Sequence, residues 1–158
     1  MNFVENFVSN SLDLLNKYII LLCLINMNKY KNMTCLIADD FSTARRIIKN
    51  ALQELGFSCL EAENGEQALE IIEQTTINLL IADVHMPDKS GMELLEDIRA
   101  DDILKDIPVI LTMIEPLDKI ITEGEELGMN NYLVKPFDVF MLSKVLDKVI
   151  ETELGESL

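Results

Sequence analysis

From residue 34 onward the chain alternates, five times over, a short apolar run with a longer stretch whose apolar residues recur every three or four positions. No other feature restricts the fold as strongly. The runs at 35–38, 57–60, 77–82, 108–111 and 131–134 are too short for buried helices. Polar residues, acids or proline close them, so they read as strands covered on both faces. After the first run, Ala44, Ile47, Ile48, Ala51, Leu52 and Leu55 lie at helical spacing, and Gly56 ends that helix. Asn64, with Gln67 three residues on, predicts a capping box ahead of Ala68, Leu69, Ile71 and Ile72. Further helices are predicted over 91–99, over 117–127 with Gly124 inside it, and after Asp138, where Leu142, Val145, Leu146 and Val149 face inward. Strands and helices joined by short links build a parallel sheet with both faces covered. The expected fold class is α/β, a doubly wound five-stranded parallel sheet with helices on both faces. Such sheets bind ligands at the carboxyl ends of their strands.

What stands at those ends therefore matters most. Asp39 and Asp40 follow the first strand, Asp83 follows the third, Thr112 ends the fourth and Lys135 ends the fifth. Three carboxylates gathered at one edge repel one another and resist ionisation unless a cation accompanies them. Mg2+, a hard cation that takes one or two carboxylates and keeps several waters, is the natural occupant. A metal and a lysine can neutralise the equatorial oxygens of a phosphoryl group, and a carboxylate can attack its phosphorus to give an acyl phosphate. Singly, each residue has an ordinary structural reading, since aspartates after strands make turns and helix caps. Four strand ends that supply one coherent chemistry in chain order have no such reading.

The remaining composition fits a signalling domain better than the alternatives. The 158 residues suit one domain over 34–151, with an extension at 1–33 and an acidic tail at 152–158. The net charge is −15, and residues 34–158 carry more than all of it, because 1–33 hold three lysines against two acids. A field of that sign repels phosphate backbones and favours divalent cations and basic partners, which argues against direct nucleic-acid binding. Cys23, Cys35 and Cys59 form no C-x-x-C pair, and with His85 the only histidine they offer no zinc site; they read as reduced thiols of a cytoplasmic protein. In the extension, the apolar run at 18–25 is far short of the roughly 20 residues needed to cross a bilayer. Membrane contact is expected only if residues 1–30 form an amphipathic surface helix. The duller alternative is a native start at Met27 or Met33.

The residues named so far, with others beside them, resemble the receiver domain of two-component response regulators. Asp39-Asp40, Asp83 ahead of His85-Met86-Pro87 and Gly91, Thr112, and Tyr132 followed by Lys135-Pro136-Phe137 fall in the family's order. The likeness spans about residues 34–151, and the strings at 39–47 and 91–101 are most similar to the stand-alone chemotaxis regulators of that family. It implies a flavodoxin-like (βα)5 fold and a role for each residue. Asp83 would accept a phosphoryl group from a sensor histidine kinase, making the protein a catalyst only of its own phosphorylation and dephosphorylation. Asp40 would hold Mg2+ directly, with Asp83 and the main-chain carbonyl of His85, and Asp39 would act mainly through water. Lys135 would pair with the phosphoryl oxygens. Thr112 would hydrogen-bond to them and move, with Tyr132 swinging inward behind it, and so signal to a protein partner, the flagellar motor switch being one candidate.

The chain also departs from the family. Met113 follows Thr112 where a small residue is usual, which implies narrower access to the phosphoryl group. Residues 115–126 carry five acids against one lysine, a surface poorly suited to an acidic partner. Two other readings stay open. A phosphorelay shuttle or phosphate sink would pass the group to a histidine phosphotransfer protein. A phosphatase-type hydrolase like the haloacid dehalogenases would need Asp-x-Asp on its first nucleophilic strand, where this chain has adjacent acids whose side chains leave the strand in opposite directions.

Overall fold

The computed structural model describes residues 30–154, so most of the expected extension and the last residues of the tail lie outside the described part. Ten elements alternate along it: β1 (Thr34–Ala38), α1 (Ser42–Glu54), β2 (Ser58–Ala62), α2 (Gly65–Gln74), β3 (Leu79–Asp83), α3 (Gly91–Ala100), β4 (Val109–Met113), α4 (Asp118–Leu127), β5 (Asn131–Val134) and α5 (Val139–Leu154). The five strands are all parallel and ordered β2-β1-β3-β4-β5. This is the expected doubly wound sheet, with strand limits shifted by no more than two residues.

Side chains alternate across a strand, and that alternation splits the core in two. Leu36, Leu80, Val109, Leu111 and Met113 face one side, against Ala68 and Ile72 of α2 and Leu94, Leu95 and Ile98 of α3. Cys35, Ile37, Leu79, Ile81, Ile110 and Leu133 face the other, against Ile48 and Leu52 of α1 and Leu142, Leu146 and Val149 of α5. Cys35 and Cys59 are both free thiols.

The helix starts follow local chemistry. Asn64 caps α2 by accepting the Gln67 N–H at 2.8 Å, as expected, but the Gln67 side chain takes the N–H of Glu63 instead of the cap's own. The box therefore closes one residue early. At α3 the reciprocal bonds are complete: Ser90 accepts the Glu93 N–H, and the Glu93 carboxylate accepts the Ser90 N–H. Asp138 caps α5 through the Met141 N–H at 2.8 Å.

Four residues before β1, Tyr30 is already part of the core. It is 2% exposed, stacks on Phe57 with ring centroids 4.6 Å apart, and donates its hydroxyl to Asp147 of α5. Burial, then the bond to Asp147 and that residue's charge, push the phenol far above its ordinary range. Tyr30→Ala should cost about 3 kcal/mol of stability, in the range for truncating a buried aromatic. Urea unfolding of the full chain checks this, and a change below about 1 kcal/mol would show that the stack adds nothing beyond ordinary surface packing.

Candidate functional site

The two-residue period of the strands continues past their ends. Asp39 stands two residues after Ile37, Asp83 two after Ile81, Thr112 two after Ile110 and Lys135 two after Leu133, each of those four lying in the α1–α5 half of the core. Register aligns them further, with Asp83 directly beside Thr112 across β3 and β4. Residues 23 to 96 positions apart are thereby delivered to one point. The Lys135 ammonium lies 2.5 Å from Asp39 Oδ2 and 2.6 Å from Asp83 Oδ2.

Burial sharpens these contacts. Asp39 is fully buried, Asp83 is 5% exposed and Thr112 1%, while Asp40 is open to solvent. Burial works against the charged Lys135, yet hydrogen bonds to Asp39 and Asp83, and their charges, outweigh it and hold the ammonium above the ordinary lysine range. Both carboxylate oxygens of Asp39 are engaged, Oδ2 by Lys135 and Oδ1 by the Phe41 N–H at 2.9 Å. Thr112 is the opposite case: its Oγ1 is buried and has no hydrogen-bond partner.

Two glycines and a strained turn hold the surrounding loops close. A side chain at Gly91 would run into the Asp83 main-chain carbonyl, so only glycine lets α3 begin this near the end of β3. The loop between them, which carries His85, turns at Asp88 with φ 63°. It is tied to the start of α2 by Asn64 Nδ2 donating to Asp88 Oδ2 at 3.1 Å and by the Gly65 N–H donating to the Lys89 carbonyl at 3.0 Å. The peptide bond between Lys135 and Pro136 is cis.

The acids fit a hard divalent cation. Asp39, Asp40 and Asp83 each offer a carboxylate oxygen, all within 4.8 Å of one another, an all-oxygen set open to water on the Asp40 side. His85 is exposed, and its N–H faces Asp83 Oδ1 at 3.4 Å. Tyr132 is half-buried and packs on the α2–α3 half of the core, across the sheet from Lys135. Met113 is fully buried in that same half with Leu111 and Val109, so its bulk fills core and does not stand at the mouth of the site.

Sequence reasoning passed over one residue of the site. Arg45, 7% exposed, donates from Nη1 to the Asp39 carbonyl at 2.6 Å. The available signal was its place at i, i+3, i+7 with Ile48 and Leu52, an inward face where a charge needs a partner.

A parallel sheet of this strand order, with acids, a lysine and a hydroxyl converging at its carboxyl end, defines a class of signalling domain. The chain belongs to the response regulator receiver domain family, whose model matches residues 35–147. Among its relatives it is 43% identical over 122 residues to the chemotaxis protein CheY-3 of Vibrio cholerae, covering 77% of this chain and 94% of that protein. It is 42% identical over 124 residues to the chemotaxis protein CheY of Pseudomonas aeruginosa, covering 78% and 100%. The solved structure of Vibrio cholerae CheY4 superposes with a TM-score of 0.71 at 29% identity, covering 74% of this chain and 98% of that one. The chain is thus a receiver domain of the chemotaxis-regulator type. No helix among the described residues is long and apolar enough to cross a membrane.

Proposed function

We propose that the protein is a response regulator of the cytoplasm, phosphorylated on Asp83 by a sensor histidine kinase. The observation that carries this is the orphaned Thr112 hydroxyl beside Asp83. A buried donor without a partner is costly, and it is explained if the site is built to receive oxygens that arrive only with a phosphoryl group. An Asp83 carboxylate oxygen attacks the phosphorus of a phosphohistidine. The N–P bond breaks, the imidazole leaves with its electron pair, and an acyl phosphate remains on Asp83. Lys135, already in contact with Asp83, is placed to pair with the transferred oxygens.

Asp40 and Asp83, with the His85 main-chain carbonyl, would hold Mg2+. Asp39, the most deeply buried of the three acids, fits a water-mediated role. When bound, Mg2+ supplies positive charge for the phosphoryl oxygens. Movement of Thr112 toward the new group, with Tyr132 following, would bias a two-state element and reshape the face made by α4, β5 and α5.

Output through a protein surface is supported by Ile114 and Leu117 after β4 and by Phe140 and Met141 on α5, all exposed near the sheet's carboxyl end. With the acids of 115–126 around them, they suit a partner that is apolar and basic. A chemotaxis role is supported by the relatives, since both are called chemotaxis proteins and the chain covers 94% and 100% of their lengths; the flagellar motor switch is the partner that the family resemblance implies.

Exposure to acetyl phosphate with and without Mg2+, followed by intact mass, tests the proposal. One phosphoryl group should be gained only with Mg2+, and Asp83→Asn should not gain it. A gain that persists in Asp83→Asn would put the acceptor elsewhere.

A further inference from the structure

Arg45 is a buried cation on α1, and its contacts reach two loops. Its Nη1 meets the Asp39 carbonyl at 2.6 Å, Nη2 meets Glu63 Oε1 at 2.9 Å, and Nε lies 3.6 Å from Glu61 Oε2. β1 ends at Ala38, and the Asp39 N–H makes one more bond to the next strand, to the Ala62 carbonyl at 3.1 Å. Beyond that point β2 turns away into α2, and the fully buried Asp39 carbonyl takes its donor from Arg45 instead. The guanidinium therefore spans from the turn after β1 to the turn after β2. Its planar fork can serve both acceptors at once, which a lysine ammonium cannot do in the same geometry. The Asp40 side chain is exposed, so its place is set by the backbone that this clamp holds.

We propose that Arg45 is a positioning residue for the acid pair: by clamping the Asp39 carbonyl to Glu63, it holds Asp39 and Asp40 in the arrangement that binds a divalent cation before the cation arrives. This rests on the assignment of the acid cluster as a Mg2+ site. Groups that support ligands from behind typically change metal affinity by about 10–100-fold when removed. Arg45→Met, which keeps the apolar stem and loses the donors, should raise the Mg2+ dissociation constant at least about tenfold. Arg45→Lys should fall between it and the parent. Electrostatics alone gives the opposite sign, because deleting a cation near the site should tighten the binding of another. Direction thus separates positioning from charge.

The experiment is a Mg2+ titration of the full chain followed by amide resonances, without phosphodonor, beside thermal unfolding of the metal-free forms. Unchanged or tighter Mg2+ binding by a folded Arg45→Met variant overturns the proposal. If that variant does not fold, Glu63→Gln loosens the far end of the clamp and leaves the Asp39 carbonyl paired. Amide exchange at Asp40 and Phe41 should then be faster than in the parent, and equal exchange overturns the proposal. Failure of the unsubstituted chain to bind Mg2+ overturns instead the assignment of the acid cluster, a result the same titration reports separately.

Discussion

Lys135→Met should unfold about 3 kcal/mol more easily than the parent in Mg2+-free buffer at neutral pH, the order found when one partner of a buried ion pair is removed. The side chains of Asp39 and Asp83 are 1% and 7% exposed, and Lys135 contacts both. Taking it away leaves two neighbouring buried carboxylates with no cation between them, and their desolvation is no longer offset. Mg2+ should narrow the gap, because it binds the folded chain and supplies the missing charge. The pH dependence follows from the raised pKa of Lys135, where burial is outweighed by the hydrogen bonds and charges of Asp39 and Asp83. A group raised in the folded state stabilises fully below its unfolded pKa and loses that effect as pH climbs through the folded one. Through this lysine, then, parent and variant should differ by a constant amount near neutral pH and converge only in strongly alkaline solution. Urea unfolding with and without Mg2+ measures all of this, and equal stabilities in metal-free buffer would mean that the short contacts of Lys135 are energetically idle. Transfer from acetyl phosphate should also fall, by about a hundredfold if Lys135 contributes as a typical preorganised donor.

Thr112→Val should do two things of opposite sign. It removes a hydroxyl that is buried and unpaired while keeping the branched shape that fits β4, so the unphosphorylated protein should gain about 1 kcal/mol. Phosphorylation of Asp83 should persist, because the attacking carboxylate and Lys135 are untouched. The response at Tyr132 should be lost, since nothing on β4 then reaches for the new oxygens. Amide and ring resonances of Tyr132, recorded with and without acetyl phosphate, read this out. A full response in the valine variant would remove Thr112 from the switch, and a loss of stability would mean that its hydroxyl has a partner after all.

Much of this was legible in the chain because it depends on local periodicity. A strand covered on both faces must be continuously apolar, so β1, β3 and β4 announce themselves, and the acid or hydroxyl that closes each run marks the ligand end. Asp39, Asp83, Thr112 and Lys135 could be singled out on that ground. Arg45 could not, because its partners are a main-chain carbonyl and two acids of another strand and loop, and helical spacing alone called for an apolar residue there. Met113 misled for a related reason. Read beside Thr112 it implies narrower access to the phosphoryl group, whereas alternation along β4 turns it into the core. In the sequence Tyr30 reads as part of the extension, because no pattern joins it to the first strand, and only packing against Phe57 and α5 brings it inside.

By itself, then, the sequence determined the order of the elements, the covered parallel sheet and the kind of residue at each strand end, since these follow from the spacing of apolar side chains along the chain. Tertiary structure alone decided that Lys135 touches both Asp39 and Asp83, that Thr112 lacks a partner, and that Arg45 holds the turn behind the acids. Those facts depend on the register of neighbouring strands and on which buried groups find donors, and both are settled between segments distant in sequence.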